Sequence, residues 1–422
     1  MTTEQVQALG PALAGFLAHF GCCFPRRPTL QRFLAYCRGL LSGLDRKSVE
    51  PMALAAGAAV RTLQEFLTHH RWDHLRLRDL IQRRVVARHA PPPDAPRQPD
   101  DPLAIGLIDE TSIPKKGDKT PGVQRQYCGA SGKIDNCIVT VHLGYVRGDF
   151  LAMLDSDLYL PQSWIDDRDR GGTRCRDAHI PDALGYRAKT DIALDQVRHA
   201  LSMGVRFDFL TFDEGYGKNP AFLFGLEALG QCYVAEVPRN FRAWPSKPKY
   251  HSLRGEFATR KAYNIARWSK AFIYQDWQDF TLQRRTVEPV VWSVKAAQVH
   301  LRDPDTHRPT DRTYWLIVAW NRTTGEHKYY VANAPPTAEL SALLRVAFQR
   351  AGVEHLFRIG KSEIGFDHYE GRTYHGLIRH MILCQLLLLF LAEHTARLRG
   401  EKSAGDDGAD CPRPQRPLPT LA

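Results

Sequence analysis

Two aspartates stand where buried apolar runs stop. Asp109 follows Leu103–Ile108 (LAIGLI) and Asp213 follows Phe207–Phe212 (FDFLTF). The continuous apolar run Leu103–Ile108 reads as a strand covered on both faces, Phe207–Phe212 reads as a second strand, and in an open sheet neighbouring strand ends bring their terminal side chains together. Two carboxylates so placed suit hard divalent cations, which take oxygen ligands and leave water and phosphate to complete the shell. An aspartate also ends a strand simply because it favours turns, so the weight rests on the pair rather than on either residue. Helical geometry selects a third acid. At about 100° per residue, Arg350, Glu354 and Lys361 share one face, whereas Glu363 points to the opposite side. Such a stripe is either a solvated ion-pair face or a carboxylate flanked by two cations that hold a phosphate.

The elements that must position these groups are legible from the patterning. After the first buried strand come Cys137–Val146 and Phe150–Leu160, separated by the turn Arg147-Gly148-Asp149. An amphipathic helix is expected over 188–203, then the strand ending at Asp213, a short helix over 221–229 and a strand over Cys232–Val237. Strand, strand, strand, helix, strand, helix, strand is the order of the ribonuclease H-like α/β fold, parts of which other mixed folds share. We expect the catalytic core to begin at 103–239 and to finish with the helices of 336–399. A β-rich insertion is expected over 240–335, which holds six of the eight tryptophans. These could stack on distorted bases, although packing in a β core explains most of them.

Upstream, residues 1–89 show helical spacing and form an expected basic helical domain. Residues 90–102 (APPPDAPRQPDDP) carry six prolines and read as a stiff linker. Residues 400–422 have the composition of a disordered tail. The chain has 422 residues and a formal net charge of +11, and an excess of six of those positive charges lies in residues 1–100. A basic balance points to a polyanion, nucleic acid before membrane. The longest apolar stretch, Met381–Ala392, is far short of the roughly 20 residues of a membrane span and reads as a buried helix. Nine cysteines without a CxxC pair suggest neither a zinc ribbon nor a disulfide framework, which fits a reducing cytoplasm. No HExxH occurs among the histidines; His69-His70, His142, His179 and His375 read as surface or packing residues.

Three blocks together, LIDETSIPKKG (107–117), TFDEGYGKNPAFLFGL (211–226) and VEHLFRIGKSEIGFDHYEGRTYHGLIRHMILC (353–384), resemble the motif blocks of DDE transposases of bacterial insertion sequences. More narrowly they resemble the cut-and-paste branch in which a β-strand insertion precedes a Tyr-Arg-Glu-Lys signature. LLSGLDRKSVEPMA (40–53) is similar to the leader domain of one subgroup. The resemblance implies that Asp109, Asp213 and Glu354 bind two Mg²⁺, with Mn²⁺ as a plausible substitute, and that Arg350 and Lys361 hold DNA phosphates. Where the signature has Tyr this chain has Ala347, with Phe348 beside it, and Glu363 is the runner-up third acid. The implied activity is metal-dependent cleavage and strand transfer at the element's ends. Its partners are double-stranded DNA, both terminal inverted repeats and target, and a second copy of the chain, with no membrane and a nucleoid-associated cytoplasmic location. Arg76, Arg78, Arg83 and Arg84 are candidate DNA contacts. The alternative is a catalytically silent or non-mobile DNA-binding protein or nuclease descended from a transposase.

Overall fold

The computed structural model describes residues 9–91, 101–248, 259–284 and 287–403. Most of the expected linker (92–100) and of the expected tail (404–422) therefore lies outside the described residues. The chain begins with helices α1 (Leu9–Ala18), α2 (Arg27–Leu40), α3 (Val49–Ala55), α4 (Val60–Thr68) and α5 (His74–His89). Strands β1 (Ala104–Pro114), β2 (Gln124–Cys128), β3 (Lys133–Arg147) and β4 (Phe150–Tyr159) follow. Next come α6 (Gln162–Asp169), α7 (Arg174–Asp177), α8 (Lys189–Ser202), β5 (Phe209–Phe212), α9 (Glu214–Gly217), α10 (Pro220–Ala228) and β6 (Tyr233–Val237). Short β7 (Arg242–Ala243), β8 (Arg260–Lys261), α11 (Ala262–Trp268) and α12 (Lys270–Ile273) precede β9 (Gln278–Arg284), β10 (Val287–Val299), β11 (Tyr314–Asn321) and β12 (His327–Ala332). The last helices are α13 (Leu340–Gln349), α14 (Ala351–Ile359) and α15 (Tyr374–Ser403), with a π-helical turn at Gly360–Ile364.

Two compact units divide the chain. One comprises residues 1–102, 110–206 and 352–422, the other 103–109 and 207–351. In the first, α15 is the central element. Its residues Leu377, Met381, Leu383, Cys384, Leu386, Leu387 and Leu389 are fully buried, and it packs on β4 and on α2, α4 and α5. A helix apolar nearly all round has to be covered on every side, and here the N-terminal helices and the β3–β4 hairpin do so. Phe16 meets Phe390 with ring centroids 5.3 Å apart, and Gln82 on α5 donates to the Leu154 carbonyl on β4 at 3.1 Å. The helices of residues 1–89 are thus built into this unit, whereas the composition suggests a body of their own. The reason is that α15 supplies the apolar surface these helices need to close a core.

In the second unit, β1 up to Asp109, β5 and β6 run parallel. β12 joins β6 antiparallel, and β11, β10 and β9 continue outward antiparallel. The strands expected as an insertion therefore extend the sheet from β6. β1 and β5 approach so closely that a Cβ at Gly106 would run into the side chains of Leu210 and Phe207; only glycine fits there. Helix α13 covers β5 and β6 and sends Phe348 among Phe280, Trp292 and Tyr330. Of the six tryptophans of this region, Trp244 and Trp292 are buried core residues, Trp277, Trp315 and Trp320 are half-buried, and Trp268 is 63% exposed.

Candidate active site

β1 and β5 are paired up to Ile108 and Phe212. Asp109 and Asp213 are the next residue on each, and in a parallel pair equal register puts side chains on the same face. Asp109 is buried. It does not end its strand as the sequence suggests, because β1 runs on through Glu110–Pro114 with Thr111, Ser112 and Ile113 buried; it stands instead where β1 parts from β5. Asp213 does end its strand. Its Oδ1 accepts the N–H groups of Gly215 (2.9 Å) and Tyr216 (3.3 Å), so the carboxylate caps α9 and is held by backbone donors. Glu110 alternates to the other side, where it takes the Lys189 ammonium at 2.6 Å.

Arg350, the residue that closes α13, lies with Nη1 3.6 Å from Asp109 Oδ2 and Nε 3.4 Å from Glu236 Oε2. Glu236 Oε1 accepts from Lys328 at 2.8 Å. Sequence reasoning passed over Glu236, although an acid inside the run CYVAEV, near the end of a predicted strand, was a signal.

Lys361 donates to the Thr111 hydroxyl at 2.8 Å, and burial lowers its pKa. Behind it, Thr140 Oγ1 donates to the Thr111 carbonyl (3.4 Å) and lies 2.7 Å from His142 Nε2, while His142 Nδ1 is 2.6 Å from Ser156 Oγ. Burial, with the charge of Lys361 adding to it, pushes His142 down to about 3 and keeps it neutral. The shared face expected for Arg350, Glu354 and Lys361 assumes one regular helix. The chain instead passes from α13 through Arg350 into α14 and then into the π-helical turn that carries Lys361 and Glu363. A wider turn advances less than 100° per residue, so the angle between Lys361 and Glu354 is larger than a regular helix would give. Glu354 is exposed on α14; Glu363 is exposed in the π-helical turn, its carboxylate accepting from Ser362 Oγ at 3.0 Å.

The four arginines singled out on α5 fall into two kinds. Arg76 and Arg83 are exposed. Arg84 makes a two-pronged pair with Glu393 at 2.8 and 2.7 Å, and Arg78 lies 3.2 Å from Asp79 and 3.6 Å from Asp155.

Among the described residues no group of three or more His, Cys, Asp or Glu side chains converges as a cation site. The carboxylates of Asp109 and Asp213, on neighbouring strand ends, are nonetheless the hard oxygen donors a divalent ion takes, so the donor chemistry fits. In comparison with known proteins, residues 19–298 match the family model described as DDE superfamily endonuclease. That span contains Asp109 and Asp213 and stops before Arg350, Glu354 and Lys361. A probable transposase for insertion sequence element IS701 from Microchaete diplosiphon is 26% identical over 302 residues, covering 70% of this chain and 68% of that protein.

Proposed function

The chain belongs to the DDE superfamily endonucleases, and from that membership we propose that it is a transposase that cuts DNA at the ends of its own insertion sequence and joins the freed ends to target DNA. The observation that carries this reading is the pair Asp109 and Asp213, one residue beyond the paired Ile108 and Phe212. The three parallel strands β1, β5 and β6, with an antiparallel β3–β4 hairpin, support a ribonuclease H-like core. The name of the IS701 relative supports an insertion sequence as the substrate.

In this reading Asp109, Asp213 and Glu354 hold two Mg²⁺ ions, with Mn²⁺ able to replace them. Bound there, the ions would lower the pKa of an attacking water or 3′-hydroxyl and offset charge on the scissile phosphate. The chain's own groups do the rest. Backbone N–H groups fix the Asp213 carboxylate, Arg350 stands beside Asp109, and Lys361, held by Thr111, supplies a cation for a DNA phosphate. Exposed Arg76 and Arg83 contribute sequence-independent attraction to element-end DNA. Holding two ends together calls for at least a dimer, and the partner DNA places the protein with the nucleoid in the cytoplasm. The test is nicking of a duplex carrying the element end in Mg²⁺: wild type nicks, whereas Asp109→Ala and Asp213→Ala do not. Retained nicking in either variant would sink the assignment.

A further inference from the structure

Glu236 stands in the row of the two aspartates. β6 pairs with β5 through Ala235 and Phe212, and β5 with β1 through Phe212 and Ile108, so the next residue on each of three neighbouring parallel strands is an acid: Asp109, Asp213 and Glu236. The backbone at this point is fixed, since a Cβ at Gly217 would run into the Glu236 carbonyl. Both Glu236 oxygens face cations: Oε1 accepts from Lys328 at 2.8 Å, and Oε2 is 3.4 Å from Arg350 Nε. Arg350 in turn reaches Asp109 with Nη1 at 3.6 Å. Asp109, Arg350, Glu236 and Lys328 thus alternate in sign and sum to zero, with side chains only 12–22% exposed. At that burial a charge deprived of a partner is costly.

We propose that Glu236 is a positioning residue that shares the Arg350 guanidinium with Asp109, and so sets how readily the Asp109 carboxylate accepts a divalent cation. Arg350 and such a cation draw on the same carboxylate. With Glu236 charged, the guanidinium is anchored through Nε from the neighbouring strand and its pull on Asp109 is divided. With that charge removed, Arg350 shifts its pairing toward Asp109 and competes with the cation. Glu236 itself, with Lys328 on one oxygen and Arg350 on the other, serves as an anchor for cations rather than as a third ligand. The proposal rests on the reading of Asp109 as a metal ligand.

The probe is Mn²⁺ binding to the full-length protein, followed by electron paramagnetic resonance of free Mn²⁺, with Mg²⁺ dependence of nicking as a companion. Glu236→Gln should raise the Mn²⁺ dissociation constant about fivefold, the scale of one divided ion pair, and raise half-saturating Mg²⁺ in parallel. Glu236→Gln combined with Arg350→Gln should restore Mn²⁺ affinity to the wild-type value or above it, because the competitor, which in wild type still draws on Asp109, is gone. Lys328→Met, which frees Glu236 to draw on Arg350 alone, should tighten Mn²⁺ binding, and it keeps the proposal open to refutation should Glu236→Gln misfold. Unchanged affinity in Glu236→Gln and in Lys328→Met overturns the proposal. So does weakened affinity in Glu236→Gln that the double variant fails to restore, since that is the behaviour of a direct ligand. If Asp109→Asn leaves wild-type Mn²⁺ binding intact, the metal-site reading itself fails and takes the proposal with it.

Discussion

The backbone N–H of Lys47 donates to Nδ1 of His368 at 2.9 Å, joining residues more than three hundred positions apart. The Lys47 ammonium donates to the Glu363 carbonyl, and its neighbour Arg46 pairs with Glu370. Tyr36 on α2 hydrogen-bonds His380 Nδ1 at 2.9 Å, and His380 Nε2 lies 3.2 and 3.3 Å from the carbonyls of Gly365 and Phe366. Burial pushes His380 down to about 4, so the ring is neutral, donating from Nε2 and accepting from Tyr36. Helix ends leave carbonyls without intrahelical partners and favour a cation nearby. Lys47 meets both needs for the helical run that carries Glu354, Lys361 and Glu363.

Replacing Lys47 by Met keeps the buried stem and removes the ammonium. The Glu363 carbonyl then loses its donor, and a loss of about 1–3 kcal/mol in unfolding free energy is expected, read by urea titration. Amide hydrogen exchange over residues 360–370 should accelerate, while Lys47→Arg should recover part of both. Gly365 has φ of 74°, and a Cβ there would come 2.8 Å from the Lys47 Cβ. Gly365→Ala should therefore loosen the same segment from the other side. Unaltered exchange in both Lys47→Met and Gly365→Ala would show that the segment holds itself.

Glu354 and Glu363 differ in what surrounds them. Glu354 sits in the first turn of α14, four residues past Arg350, whereas Glu363 belongs to the turn whose carbonyl Lys47 caps. Glu354→Gln is expected to cut the nicking rate by at least about a hundredfold, the usual scale for removing a group that stabilises the transition state, with DNA affinity little changed. Glu363→Gln should stay within a few-fold of wild type. The reverse result would transfer the third carboxylate to Glu363.

Much of this arrangement was legible in the sequence because it depends on local pattern. The run before Asp213, the Arg147–Asp149 turn and the helix around Val197 are periodic segments with clear stops, and β5, the β3–β4 hairpin and α8 stand where the pattern puts them. What escaped depends on partners distant in the chain. The length of β1 beyond Asp109 follows from burial of Thr111 and Ile113 in the first unit, which nothing in the local polarity signals. Glu236 gains its importance from strand register, and register between β1, β5 and β6 is set by packing. The π-helical turn at 360–364 breaks a helical spacing that reads as unbroken. The basic charge of α5 was visible, yet Glu393, which neutralises Arg84, lies more than three hundred residues away.

That division predicts unequal behaviour among the α5 arginines. Glu393 is pushed up by burial, but the His89 ring 3.6 Å away, the two hydrogen bonds and charge of Arg84 and the charge of Arg88 outweigh this and hold it at about 2. Arg84→Ala leaves that carboxylate without its two-pronged partner, and a stability loss of about 3–5 kcal/mol is expected, with little change in the salt dependence of DNA binding. Arg76→Ala and Arg83→Ala should leave stability within about 0.5 kcal/mol. Each should lower the slope of log affinity against log salt by about one if it contacts a phosphate. Equal salt slopes in wild type and in the Arg76, Arg83 double variant would remove α5 from the DNA surface.

Asp155 on β4 gives the pH prediction. It is buried, and burial, reinforced by Asp157 and Asp79 and opposed by Arg78 and the Ser156 N–H, pushes its carboxyl up to about 7. The unfolded value is about 3.9, so between these limits the folded state binds more protons than the unfolded one. By linkage, this group's contribution to stability falls as pH rises from about 4 to about 7 and is level above. Asp155→Asn cannot ionise and keeps the shape of the neutral acid. The difference in unfolding free energy, variant minus wild type, should therefore climb steadily from pH 4 to 7 and then stay flat, because only wild type has to bury a charge. Urea titrations at unit intervals of pH measure it directly. A difference that is constant, or that falls over this range, would mean that Arg78, 3.6 Å away, keeps Asp155 ionised throughout.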